Sequence, residues 1–184
     1  MSYLLDSNVV SELRKRERVD LRVRDWFAGV DDAELFLSVL TLGEIRRGIE
    51  SIQRRDRPRA LALNRWFHAL GTSYEARILP VDQKVAEEWG RMNAVTTLPA
   101  IDGLLAATAR VHDLIVVTRN TRDVARTGVP CLNPFLPVRD LSKGRTRLLA
   151  TRSPARRLEQ AARVSEEVPA AGLRSERNVH DGRP

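Results

Sequence analysis

Carboxylates recur in this chain where apolar runs of strand length end. Tyr3-Leu4-Leu5 stops at Asp6, the capping residues Ser7 and Asn8 follow, and Val9, Val10 and Leu13 resume at helical spacing. Asp6 is therefore expected at a strand's carboxyl end beside a helix N-terminus, where open α/β sheets bind ligands. Leu35-Phe36-Leu37-Ser38-Val39 repeats the arrangement, with Thr41 and Glu44 behind it at capping-box spacing. Leu114-Ile115-Val116-Val117 is a third continuous apolar run, and it delivers Thr118, Asn120 and Asp123. Asp102 falls in the first turn of a helix that opens at Pro99 and continues into Ala106-Ala107-Thr108-Ala109, small residues that permit close packing.

Singly, each acid has an ordinary explanation. Asp6 is a capping acid, Glu44 completes a capping box or pairs with Arg47, and Asp102 is favoured by the helix dipole. Gathered at one sheet edge, Asp6, Glu44, Asp102 and Asp123 form a carboxylate cluster with Asn120 beside it. Like charges at close range raise one another's pKa and call for a cation. Oxygen donors of this kind suit Mg²⁺ or Mn²⁺. His68, His112 and His180 have no metal-ligand spacing with one another or with Cys131, so zinc chemistry is not indicated. Ser7, Thr41 and Thr118 lack a paired histidine, which argues against a covalent serine mechanism and leaves them as groups that orient ligands. Arg46, Arg47, Arg119 and Arg122 lie near these acids in sequence and suit an anionic phosphate substrate.

The elements that must position these groups alternate between strand and helix. Helix one follows Asp6 to about Glu17, and a short amphipathic helix spans Leu21 to Phe27. The second strand leads into the helix carrying Glu44, and Arg54 to Arg59 form a basic turn. A marked amphipathic helix runs from Ala60 to Leu70, Arg77 to Val81 form a strand, and Asp82 caps a helix from Gln83 to Val95. Val129 to Phe135 supply a last short strand and a turn. The pattern predicts an α/β fold, an α/β/α sandwich around a central parallel sheet, with the compact domain at 1–140.

The 184 residues and 42% hydrophobic content suit one domain with a real core. One cysteine, Cys131, excludes an intramolecular disulfide framework and is expected to be a small buried hydrophobe. With neither a signal peptide nor an apolar run of membrane length, the sequence points to a cytoplasmic protein. The formal charge of +7 is uneven: residues 1–140 hold 21 Lys+Arg and 19 Asp+Glu, whereas residues 141–184 hold 10 and 5. This basic C-terminal extension, without an aromatic residue, is expected to be disordered, with Pro154 to Val164 the one stretch that could form a short helix. It is either a solvated extension or an electrostatic arm for a polyanion.

Four blocks carry a family resemblance: LLDSNVVSEL, LTLGEIRRGI, AIDGLLAATA, and VVTRNTRDV followed by GVPCLNPF. In this order, over about residues 2–136, they resemble the PIN-domain family, in particular the VapC-type ribonuclease toxins of bacterial toxin–antitoxin pairs. The resemblance implies a Mg²⁺-dependent endoribonuclease that cleaves RNA phosphodiesters with metal-activated water. Asp6 and Asp102 would be the principal metal ligands, Glu44 the acid shaping the water, and Asp123 with Asn120 the fourth corner. It also implies a homodimer and a small VapB-like antitoxin whose C-terminal segment covers the acidic groove. The apolar faces around Trp26, Phe27, Trp66 and Phe67 are candidates for those contacts. The chain departs from the family pattern at Val124, where an aromatic commonly follows the acid, and at Asn120, where some relatives carry Asp.

Two other function classes fit parts of the pattern. A metal-dependent phosphotransfer protein also places Asp at strand ends, but Ser7-Asn8 follow Asp6 without the second Asp of a DxD phosphatase. A non-catalytic module that binds RNA or a partner would keep the fold without needing all four acids.

Overall fold

The computed structural model describes residues 1–137. Five strands form one parallel sheet: β1 (Tyr3–Leu5), β2 (Leu35–Ser38), β3 (Ile78–Leu79), β4 (Ile115–Val117) and β5 (Cys131–Leu132). Their spatial order is β3-β2-β1-β4-β5, with Leu4 opposite both Phe36 and Val116. From β1 the chain builds outward through β2 to β3, then crosses back to lay β4 on the other side of β1. The sheet's topological switch point therefore lies between β1 and β4, the crevice where such sheets bind ligands.

Successive strand residues point to opposite faces, and each face has its own core. Leu5, Leu35, Leu37 and Val117 pack under α1 (Ser7–Leu13), α2 (Leu21–Ala28), α3 (Val39–Gln53) and α4 (Arg57–Tyr74). Leu4, Phe36 and Val116 pack on the other side under α5 (Gln83–Val95), α6 (Ala100–Val111) and α7 (Thr121–Ala125). The expected α/β/α sandwich is present. The extension 141–184, including the stretch from Pro154 to Val164 that could form a helix, lies outside the described residues.

Helix boundaries differ from the sequence reading where a side chain takes the capping role. Ser38 Oγ accepts from the Leu40 N–H, so α3 starts at Val39 and Thr41 already lies inside it. Thr41 is buried and donates to the Leu5 carbonyl at 3.0 Å, tying α3 to β1, so no Thr41–Glu44 capping box forms. Asp56 accepts from the Arg59 N–H with Pro58 in the first turn, which starts α4 at Arg57, within the basic stretch expected to be a turn. Asp82 caps α5 as expected. Helix one ends early, at Leu13, and a 3₁₀ turn over Arg16–Arg18 follows. Cys131 is half-buried on edge strand β5 rather than in the core, and burial pushes its thiol up. Phe27 and Trp66 are core residues, which removes them as contact surface; Trp26 is half-buried against the Tyr3 ring, 5.4 Å away.

The helix bearing Asp102 is set by close packing against α5. A Cβ at Gly103 would stand 2.9 Å from Trp89 Nε1 and 3.0 Å from Cδ1. Alanine at this position gains about 1 kcal/mol of helix propensity, but displacing a packed indole costs about 1–3 kcal/mol. Gly103→Ala is therefore expected to lower the melting temperature, measured by circular dichroism with chelator present. A rise would show that the indole yields freely.

Candidate functional site

Three strand ends and one helix start bring the sequence-selected residues to the carboxyl edge of the sheet. Asp6 directly follows β1, Ser38 ends β2 just before the helix carrying Glu44, and Thr118 directly follows β4. Asp102 lies in the first turn of α6, and Asp123 in that of α7, whose N-cap is Asn120. Asp6, Glu44, Asp102 and Asp123 are all half-buried, while Asn120 is exposed. Arg46 turns to Asn64 (2.7 Å), Glu50 (3.5 Å) and the Phe67 ring in the groove between α3 and α4. A cleft of about 260 Å³ in that groove, lined in part by Arg46, Ile49, Arg57 and Leu61, contains none of the five site candidates.

Asp6 occupies the N-cap position of α1 yet makes no capping hydrogen bond. Its carboxylate instead accepts from Thr118 Oγ1 (2.5 Å) and Asn8 Nδ2 (2.5 Å), with Ser7 Oγ 3.2 Å away. The ordinary explanation for this acid is thereby removed. Ser7 Oγ donates its one proton to Glu44 Oε2 at 2.7 Å, so the hydroxyl beside Asp6 is committed to an acid from a different element. Asn120 donates its amide to Asp123 (2.8 Å) and its N–H to Thr118 Oγ1 (3.0 Å). Serine, threonine and asparagine orient these oxygens without cancelling their charge.

The four acids interact through space. Burial raises the Asp102 carboxyl above its usual range, and the charges of Asp6, Glu44 and Asp123 raise it further. Among the described residues no Lys or Arg forms an ion pair with any of the four.

Glu12 provides the contrast. It is buried and accepts from Lys15 Nζ (2.7 Å), the Asp20 N–H (3.0 Å) and Arg119 Nη2 (3.5 Å). Burial alone would raise its carboxyl, but these hydrogen bonds and the charges of Lys15 and Arg119 hold it below the usual range. The sequence marks Asn8 only as a capping residue and gives Glu12 no role. A spacing signal does exist for Glu12, which falls three residues after Val9 on the inward face of α1.

Among the described residues no three His, Cys, Asp or Glu side chains converge tightly enough to form a ready-made cage for an ion. That is compatible with Mg²⁺, which keeps several of its waters and takes only one or two protein carboxylates directly. The donor set, carboxylate oxygens with hydroxyls behind them and uncompensated charge, fits a hard divalent cation.

Comparison with known proteins identifies the family. Residues 3–129 match the PIN domain. Toxin FitB of Neisseria gonorrhoeae is 31% identical over 137 residues, 72% of this chain and 97% of that protein. VapC ribonuclease Y4jK of Sinorhizobium fredii is 31% identical over 139 residues, 73% of this chain and 98% of that protein. The structure of FitAB bound to a DNA fragment superposes with a TM-score of 0.67 at 28% identity, covering 73% of this chain and 96% of that one. Among the described residues no helix is long and apolar enough to cross a membrane. With the sheet order and these matches in agreement, the chain belongs to the PIN-domain family.

Proposed function

We propose that this protein is a metal-dependent endoribonuclease and the toxic member of a toxin–antitoxin pair. The observation that carries the reading is the gathering of Asp6, Glu44, Asp102 and Asp123 at the sheet's switch point, with no balancing Lys or Arg among the described residues. A structural role alone would favour pairing such acids, as happens at Glu12. RNA as substrate and toxicity as outcome are drawn from the ribonuclease Y4jK and the toxin FitB.

Asp6 and Asp102 would hold Mg²⁺ or Mn²⁺. Such an ion supplies charge neutralisation at the scissile phosphate and a nucleophilic water at neutral pH. Thr118 and Asn8 fix the Asp6 carboxylate in one orientation, and Ser7 sets Glu44 beside it to receive the proton of the attacking water. Asp123, steered by Asn120, closes the fourth corner. No protein nucleophile is needed. The proposed assembly is a homodimer in the cytoplasm. A small VapB-like antitoxin lays its C-terminal segment over the acidic groove, where a cationic side chain can stand in for the metal.

Incubation of the purified protein with total RNA and a tRNA panel is expected to give discrete fragments with Mg²⁺ or Mn²⁺ and none with chelator. Loss of a ligand removes several kcal/mol of transition-state stabilisation, so Asp6→Asn and Asp102→Asn should each slow cleavage by at least about 100-fold. RNA bound but left intact by the wild type under all metal conditions would assign a non-catalytic binding module instead.

Asp102 also predicts a stability signature. Because folding raises its carboxyl, its ionised form destabilises the native state; that cost is complete above the raised value and is relieved as pH falls through it. Asp102→Asn should therefore melt higher than wild type at neutral pH in chelator, with the gap closing toward acid pH. Saturating Mn²⁺ should narrow the gap at neutral pH by stabilising the wild type preferentially. Equal melting temperatures at neutral pH in chelator would show that ionised Asp102 carries no such cost.

A further inference from the structure

Arg119 opens the loop between β4 and α7, and side-chain amides from two remote segments hold both sides of its backbone. Its N–H donates to Asn8 Oδ1 (3.1 Å) at the head of α1. Its carbonyl accepts from Asn133 Nδ2 (3.0 Å), just past β5. Asn133 Oδ1 meanwhile accepts from the Phe135 N–H at 3.0 Å, closing the turn that places the Phe135 ring 3.9 Å beneath the Arg119 guanidinium. The next residue in the loop is Asn120, which binds Thr118 and Asp123. Asn8, on the other side, donates to Asp6. A continuous line of hydrogen bonds thus runs from Asn133 through the Arg119 backbone and Asn8 to the Asp6 carboxylate.

We propose that Asn133 is a positioning residue for the acidic site: its amide grips the Arg119 carbonyl and so fixes the loop that presents Asn120 and Asp123 to Asp6. The proposal rests on reading that site as a catalytic metal centre. Closing the turn requires only the Asn133 Oδ1 contact to Phe135. The donating arm reaches back across the chain to Arg119, whose neighbour Asn120 is exposed and is held by its hydrogen bonds to Thr118 and Asp123. Catalytic groups must be held within about 0.5 Å of productive geometry, and an exposed loop attains that only through such tethers. Loss of a supporting hydrogen bond behind a metal site costs about 10- to 100-fold in affinity or activity.

The two arms of Asn133 can be separated. Asn133→Asp keeps an oxygen for the Phe135 N–H but has no donor for Arg119 at neutral pH, whereas Asn133→Ala loses both. In both variants kcat for metal-dependent RNA cleavage should fall at least about tenfold, Mn²⁺ affinity measured by electron paramagnetic resonance should weaken, and KM should stay within about twofold. Amide exchange at Arg119 and Asn120 should accelerate while exchange along β1 stays unchanged. Wild-type kcat and wild-type Arg119 exchange in Asn133→Asp would overturn the proposal. So would an equal loss of kcat in Met92→Ala, a core variant assayed below its melting temperature, since Asn133 would then be acting through global stability alone. Failure of the wild type to cleave any RNA would refute the catalytic reading of the site; the Arg119 exchange rate would still decide whether Asn133 holds the loop.

Discussion

Repulsion among four carboxylates at one edge of a parallel sheet is the constraint around which this structure is arranged. Parallel strands all end at the same edge, so acids placed just beyond β1, β2 and β4 are brought together by topology whatever their mutual electrostatics. At Asp102 burial, and then the charges of Asp6, Glu44 and Asp123, hold the proton more tightly. The protein answers with neutral donors. Ser7, Asn8, Thr118 and Asn120 each bind a carboxylate oxygen, fixing its direction while leaving its charge available. Arginine in those places would satisfy the same oxygens and remove the affinity for a cation. Glu12 shows that the chain neutralises a buried acid elsewhere, with Lys15 and Arg119.

The site lies where two independently packed layers meet. Glu44 stands on α3, whose apolar face belongs to the core on one side of the sheet, and Asp102 stands on α6, whose face belongs to the other. Asp6 follows the strand between them. The separation of Glu44 from Asp102 is therefore governed by both cores together, since neither helix packs directly against the same set of residues. Close approach of Trp89 to Gly103 on one side sets the spacing of α6 from α5, and the Thr41 hydroxyl on the Leu5 carbonyl on the other ties α3 to β1. Interiors packed at crystal density transmit such constraints with little slack.

Much of this was legible in the sequence because local patterns carried it. The run Leu114 to Val117 is of the kind found in strands covered on both faces, and the acids after apolar runs mark strand ends whatever the sheet order. Capping residues were harder to assign, since Ser38 and Thr41 are both suitable and only the depth of the Thr41 burial decides between them. The start of α4 was hidden by charge: Arg57 and Arg59 look like loop residues until the Asp56 side chain and Pro58 are seen to open the helix. What could not be read were pairings across long separations. Glu12 meets Arg119 across 107 residues, and Asn8 meets Thr118 across 110, with no periodicity to announce either contact.

Those long pairings also explain why the polar residues of the site edge cannot be valued one at a time. Thr118 Oγ1 donates to Asp6 while accepting from Asn8 and from the Asn120 N–H, and Asn8 accepts from the Arg119 N–H. A hydroxyl has one proton, so its donation to Asp6 requires that its other neighbours be donors, and here both are. Asn8 meets the complementary requirement: its amide nitrogen faces two oxygens, and its amide oxygen faces a backbone N–H. Exchange of either residue for a group with the opposite polarity would leave a donor facing a donor, or an acceptor facing an acceptor, at the half-buried Asp6. Such mismatches cost more than the net worth of the hydrogen bond itself. Coupled in this way, the residues around Asp6 hold one hydrogen-bonding pattern as a unit, and the orientation of the carboxylate follows from that pattern.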